Sequence, residues 1–296
     1  MTAGADVVDR DDGAQAVRTG QVLASVREFL GGPTRAGERW VFEFGAHLES
    51  NWSAAYAGAL AASTLAVARS TVPDCAPRSL HLQMVRTVPT GMAFATAEVR
   101  HAGRTVSTVE VDLFDAREKV AAIALVTMVT PSALDASYHD TRAMPPFEVQ
   151  LATYPEPPLR PPISRTLRTV REEDGTFYLA TSEHARPNIV GTPAFMGRLT
   201  VPWDDLELTG PEVACLAADP VVGAAVLNSR VPVETFGPNA DLSLRFTTAP
   251  AVRATETSGT VLSFQHGTAT VAIEIQAGEH QLAHGLSTGL LLAPRS

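Results

Sequence analysis

The sequence predicts an α+β fold of two similar halves, each a long helix of small apolar residues followed by an antiparallel meander that wraps around it. Three observations lead there. Residues 53–70 are almost entirely Ala, Leu, Val, Gly, Ser and Thr, with no proline and no charge before Arg69, as in a helix buried on every side. A proline-dense stretch at residues 132–164 interrupts the chain. The phrase GRTVSTVEVDLFDAREKVAAIALVT from Gly103 is echoed by GTATVAIEIQAGEHQLAHGLST from Gly267, each reading as glycine, alternating strand, acidic turn and second strand.

The chain of 296 residues exceeds the usual size of one domain, so a duplicated unit is a natural organisation. Residues 1–38 read as a polar leader and a short helix near residues 22–30 that ends at Gly31-Gly32. Residues 39–131 form the first half: a strand at 40–44, the buried helix at 53–70, and strands at 79–88, 94–101, 105–114 and 120–129. Residues 132–164 read as a linker with neither strand nor helix, because proline removes backbone donors and fixes φ. Residues 165–296 form the second half. Strands are expected at 166–170 and 176–181, a helix from 208–211 to 227, and strands at 241–248, 254–264, 267–276 and 282–292.

Composition excludes several classes. With 45% hydrophobic and 19% charged residues the chain has the make-up of an ordinary globular protein. A net charge of -9 and a pI near 5.4 leave no basic stripe to displace counterions from phosphates, so no nucleic-acid partner is expected. The two cysteines, Cys75 and Cys215, lack CxxC spacing, so neither a dithiol motif nor a metal site is expected. The acidic opening MTAGADVVDRDD has no apolar signal core, and no run reaches the length of a membrane span. The expectation is therefore a cytoplasmic protein without a membrane partner.

The first half resembles the acyl-CoA thioesterase II family of double hotdog proteins. AAYAGALAAS, RSLHLQMVRTVPTGMAFATAEVRHAGRTVSTVEVDLFD and VAAIALVTMV follow that family's order of small-residue helix, S-L-H-like strand, P-x-G turn and GR-[ST]-V-S hairpin. The second half is similar to the same family through FMGRLTVPWDDLELTGPEVACLAADPVVGAAVLN and GPNADLSLRF, and the resemblance spans roughly residues 40–292. It implies a double hotdog with two antiparallel sheets, each wrapped around a long buried helix. It also implies hydrolysis of an acyl-CoA or acyl-carrier thioester, without cofactor or metal. Self-association through exposed strand edges is expected as well.

By this resemblance Asp219 takes the place of the family's catalytic aspartate and Asn239 that of its threonine-type partner, while Ser287 falls where the family usually carries glutamine. A hydroxyl cannot span the reach of a glutamine amide, so the water-orienting step departs from the family pattern. A Gly-Gly at the start of the first buried helix is replaced by Trp52-Ser53, which with Asn51 are the candidate substrate-binding residues beside amides that could hold an oxyanion. Trp52 suggests a wall for a bulky or specialised acyl group.

The same residues have structural readings. Asp219 precedes Pro220 and could be a cap or kink residue; Asn239 follows Gly237-Pro238 and could serve a turn. Asp241 suits a turn anchor, and Ser287 an ordinary strand position. His47, Glu49 and Asn51 form a second polar cluster that could supply acid/base groups or lie in an exposed loop. A hydratase, dehydratase or cyclase of a specialised-metabolite pathway, or a non-catalytic acyl-binding protein, stands as the alternative to hydrolysis.

Overall fold

The computed structural model describes residues 25–50, 52–135, 151–154, 177–180, 193–200, 210–229, 235–247, 254–278 and 280–293. Helix α1 (Val26–Leu30) opens them; the Ser25 hydroxyl accepts from the Glu28 amide, and Gly31 ends the helix in the left-handed conformation at φ 66°. The leader before it lies outside the described residues. A hairpin of β1 (Thr34–Ala36) and β2 (Arg39–Phe44) follows, and Trp40, Phe42 and Phe44 alternate into the core.

Helix α2 (Ala57–Thr71) begins four residues later than the composition suggests. The amides ahead of it are already engaged: Ser50 N–H donates to the Ala54 carbonyl, Ala55 N–H to that of Val88 and Tyr56 N–H to that of Leu48. These bonds hold residues 52–56 in a turn, with Ser53 at a left-handed φ of 50°. Helix α2 is buried from Gly58 to Leu65, which explains a sequence that is apolar on every side. Strands β3 (Ala76–Met84), β4 (Gly91–Ala102), β5 (Val106–Phe114) and β6 (Val120–Val129) complete the half. Along β5, Ser107, Val109, Val111 and Leu113 face inward and the residues between them face out.

The second half repeats this order. Strand β9 (Pro193–Thr200) precedes helix α3 (Gly210–Asn228), and β10 (Phe236–Phe246), β11 (Ala254–Gln265), β12 (Thr268–Ala277) and β13 (His280–Leu291) follow it. The short strands β7 (Leu151–Tyr154) and β8 (Phe177–Ala180) pair with each other in a separate two-stranded sheet. The proline-rich linker is thus not free of strand, because residues 151–154 carry no proline and can form a ladder. The strand expected at 166–170 lies outside the described residues.

The two halves do not form two sheets. One antiparallel sheet of eleven strands runs β1-β2-β4-β5-β6-β3-β10-β13-β12-β11-β9. Each half follows the same winding, and the first strand after each helix meets its counterpart: β3 pairs β10, with Gln83 opposite Asp241 and Ser79 opposite Arg245. That pairing satisfies two edges that separate sheets would leave open. Both helices lie on one face, over a core that includes Leu65, Leu80, Leu82, Leu113, Met128, Val221, Leu244 and Ile273. Each such aliphatic side chain contributes about 1.5–3 kcal/mol by leaving water.

Helices α2 and α3 run antiparallel, with Gly58 against Asp219 at one end and Arg69 against Glu212 at the other. At the second end the Arg69 guanidinium pairs the Glu212 carboxylate, their side chains 17% and 3% exposed. Burial raises the Glu212 pKa and the arginine opposes the rise. Removing one partner leaves a buried charge alone, so Arg69→Ala is expected to lower stability by about 3–5 kcal/mol, whereas Arg69→Met with Glu212→Leu recovers most of the loss. Urea unfolding of the two variants measures both effects.

Candidate functional site

At the other end of the helix pair the amino terminus of α2 has no side-chain cap of its own, for Tyr56 in the capping position makes none. An uncapped buried terminus leaves amides that must find acceptors. Asp219, from the middle of α3, supplies them: its Oδ2 accepts the Gly58 amide at 3.2 Å, and the Ala57 amide also donates to the carboxylate. A carboxylate at the positive end of a helix is electrostatically favoured there. The two halves therefore build this arrangement jointly.

Asn239 is the second member. A register shift between Asn239 and Asp241 interrupts the β10–β13 ladder, and before it the Asn239 side chain faces α3. Its Nδ2 donates to Asp219 Oδ1 and also lies 3.5 Å from the Asp219 carbonyl oxygen. Its Oδ1 is buried and has no hydrogen-bond partner among the described residues. An unpaired buried acceptor is unusual. The structure thus joins Asp219 and Asn239.

Burial lifts the Asp219 pKa to about 6, while the hydrogen bonds from Gly58, Asn239 and Ala57 restrain the rise. The residue itself keeps part of its surface accessible. The Tyr56 hydroxyl is pushed well above its ordinary value, first by burial and then by the Asp219 charge, and it donates to the Leu216 carbonyl at 2.9 Å. Cys215, one turn before Asp219, is buried with its pKa raised, so its thiol is not poised as a nucleophile.

Ser287 is buried on β13 opposite Leu242, on the helix-facing side of the sheet, two residues from the Gly289 that lies opposite Asn239. Its hydroxyl donates to the Asp241 carbonyl at 2.5 Å rather than to Asp219 or Asn239. The Asp241 carboxylate accepts the Thr288 amide and hydroxyl, each at 3.0 Å, and so anchors the backbone. Trp52, 42% exposed, and Ser53 sit in the turn before α2, and both their amides are directed to Ser50. Asn51 lies outside the described residues. The amides at the site belong to Ala57 and Gly58, because the helix starts later than the sequence suggests. The glycine in YAGAL was the available signal for this.

His47, of the second polar cluster, is engaged with α1. Its Nε2 pairs with the Phe29 carbonyl at 2.8 Å and its ring packs on that of Phe29, tying α1 to the turn before α2. Among the described residues no three or more His, Cys, Asp or Glu side chains are grouped to hold a metal ion, and no helix is long and apolar enough to cross a membrane.

Residues 48–129 match the family model of the acyl-CoA thioesterase N-terminal domain, in agreement with the family resemblance carried by the sequence. No curated protein matches the chain. Among solved structures, a protein of unknown function with a hotdog fold from Alicyclobacillus acidocaldarius superposes with a TM-score of 0.69 at 14% identity, covering 92% of this chain and 100% of that one. An acyl-CoA thioesterase II from Mycobacterium marinum gives 0.64 at 15% identity, with 91% and 98% covered. The tesB protein of Mycobacterium avium subspecies paratuberculosis gives 0.64 at 16%, with 88% and 96% covered. At these identities the likeness establishes a hotdog fold.

A Cβ on Gly58 would lie 2.8 Å from the Cys215 carbonyl oxygen and 3.0 Å from the Leu216 Cα, both backbone atoms of α3. Gly58→Ala is therefore expected to separate the helices and to lower stability by about 1–3 kcal/mol. Denaturant unfolding reads the loss, and carboxyl titration of Asp219 reads the disturbed site.

Proposed function

We propose that the chain is a double hotdog thioesterase that hydrolyses an acyl-CoA or acyl-carrier thioester at the seam between its halves. The observation that carries this reading is the Asp219 carboxylate, held by the Gly58 and Ala57 amides and by Asn239 Nδ2, with its pKa lifted by burial to about 6. A general base serves best when its pKa lies near the working pH. Asn239 Nδ2, donating to Asp219 Oδ1, fixes the orientation of the carboxylate that receives a proton from the attacking water.

Asp219 then takes a proton as the water oxygen attacks the thioester carbonyl carbon. The positive end of α2 favours the charge that develops on the carbonyl oxygen. Collapse breaks the carbon–sulfur bond, and the proton held by Asp219 passes to the leaving thiolate, giving a free acid and a thiol. No step needs a metal or an organic cofactor. Trp52, in the turn ahead of α2, is read as a wall for a bulky acyl group with Ser53 and Asn51 beside it. Self-association is expected at the sheet edges β1 and β9.

A hydratase or dehydratase is the second reading, and one observation favours it: the Ser287 hydroxyl is committed to the Asp241 carbonyl, so this residue does not take the part of the family's glutamine.

Thiol release from acyl-CoAs of short, long, aromatic and polycyclic acyl groups tests hydrolysis. Asp219→Ala is expected to reduce kcat/KM by about 10²–10⁴-fold. Hydration or dehydration of enoyl or hydroxyacyl thioesters with no thiol released would favour the second reading; binding without turnover would favour an inert acyl-binding protein. In the hydrolase, kcat/KM climbs with pH through about 6, where Asp219 loses its proton. Stability runs the other way. The folded-state pKa lies above the ordinary value of 3.8, so this group's contribution is full below pH 3.8 and is lost as pH rises through 6. Holding the base ionised thus costs on the order of 2–3 kcal/mol. Thermal unfolding from pH 4 to 8, compared with Asp219→Ala, checks the sign.

A further inference from the structure

Helix α3 contains a proline, Pro220, immediately after Asp219. In an α-helix the amide at position 220 would donate to the carbonyl at position 216, and proline has no such amide. The Leu216 carbonyl oxygen is therefore without its helical donor, in a buried place where an unpaired acceptor is destabilising. The group that reaches it is the Tyr56 hydroxyl, at 2.9 Å, from the residue in the capping position of α2. One residue on from Tyr56, the Ala57 and Gly58 amides hold the Asp219 carboxylate. The vacated carbonyl lies three residues before Asp219, so tyrosine and carboxylate span less than one turn of α3 and less than one turn of α2.

We propose that Tyr56 and Pro220 act as a positioning pair for Asp219: proline frees one carbonyl of α3, and tyrosine takes it to lock the amino terminus of α2 against the catalytic carboxylate. The proposal rests on the reading of Asp219 as general base. Three features make it more than ordinary packing. The carbonyl lacks its helical donor because residue 220 is proline. The donor comes from the opposite half of the molecule. Both ends of the latch flank the site within three residues. The Gly58 contact with the Cys215 and Leu216 backbone supplies the close approach that lets a phenol reach across. Tyr56 does not touch reacting atoms in this scheme; it acts through Asp219.

The test uses three full-length variants: Tyr56→Phe, Pro220→Ala and the two combined. Tyr56→Phe removes only the hydroxyl and leaves the Leu216 carbonyl unpaired, so both melting temperature and kcat are expected to fall, kcat about tenfold or more with KM little changed. In the combined variant the backbone amide restored at position 220 satisfies that carbonyl, so the melting temperature returns toward that of Pro220→Ala while kcat stays low. Recovery of stability without recovery of turnover supports a positioning role. Recovery of both, or a Tyr56→Phe variant with unchanged kcat, overturns it.

A second readout separates this inference from the assignment of hydrolysis. In protein carrying ¹³C at aspartate carboxyls, Asp219 is assigned by comparison with Asp219→Ala and titrated. Burial is the largest cause of its raised pKa, so loosening the latch in Tyr56→Phe is expected to lower that pKa toward the ordinary aspartate value. An unchanged titration in Tyr56→Phe overturns the positioning pair even in an active enzyme. A shifted titration in a protein that releases no thiol supports the pair and discards hydrolysis alone.

Discussion

The close approach of α2 and α3 at Gly58 is the constraint on which the rest of the molecule depends. With hydrogen in place of a side chain, the first turn of α2 meets the backbone of α3 near Cys215 and Leu216. That proximity brings the uncapped amides of one helix within reach of a carboxylate on the other. A larger residue would move α3 away, and the Asp219 carboxyl would lose both its donors and the burial that raises its pKa. The small residues along α2 are thus more than helix formers; they set the distance between halves.

The two ends of this helix pair solve the same problem in opposite ways. At one end a carboxylate from α3 is set against the amides that open α2, on a residue that keeps part of its surface accessible. At the other, Glu212 in the first turn of α3 is neutralised by Arg69 from α2 and is almost wholly enclosed. A paired and buried carboxylate is a structural tie, whereas one held only by neutral donors near pH 6 can exchange a proton. One end thus holds a carboxylate among neutral donors, and the other an ion pair that ties the halves together.

The continuous sheet underlies both ends. Pairing of β3 with β10 aligns the two halves edge to edge, and His81 Nδ1 with Ser243 Oγ, 2.5 Å apart, adds a side-chain bond across the seam. The register shift between Asn239 and Asp241 occurs on β10, the strand that makes this seam. It lets Asn239 turn to α3 while the Asp241 carboxylate stays with Thr288. Sheet irregularity and site geometry are one feature here.

Much of the fold was legible in the chain, because burial and strand alternation are periodic properties of neighbouring residues. The Ala-rich stretch announced a helix enclosed on all sides, the alternation at 105–114 and 120–129 announced strands, and the echo between Gly103 and Gly267 announced the repeat. The family phrases pointed to Asp219 and Asn239, which the structure joins. What only the tertiary structure decided depends on groups distant in sequence. The merging of two expected sheets into one follows from β3 meeting β10, and the late start of α2 follows from bonds that commit Ser50, Ala55 and Tyr56 elsewhere. The Ser287 hydroxyl goes to a carbonyl set by the β10 register, and Tyr56 completes a hydrogen bond that Pro220 had removed 164 residues away. The sequence by itself determined which segments are buried and which residues carry reactive groups; the structure decided which partners those groups find, because hydrogen-bond geometry is set by the packing of whole elements.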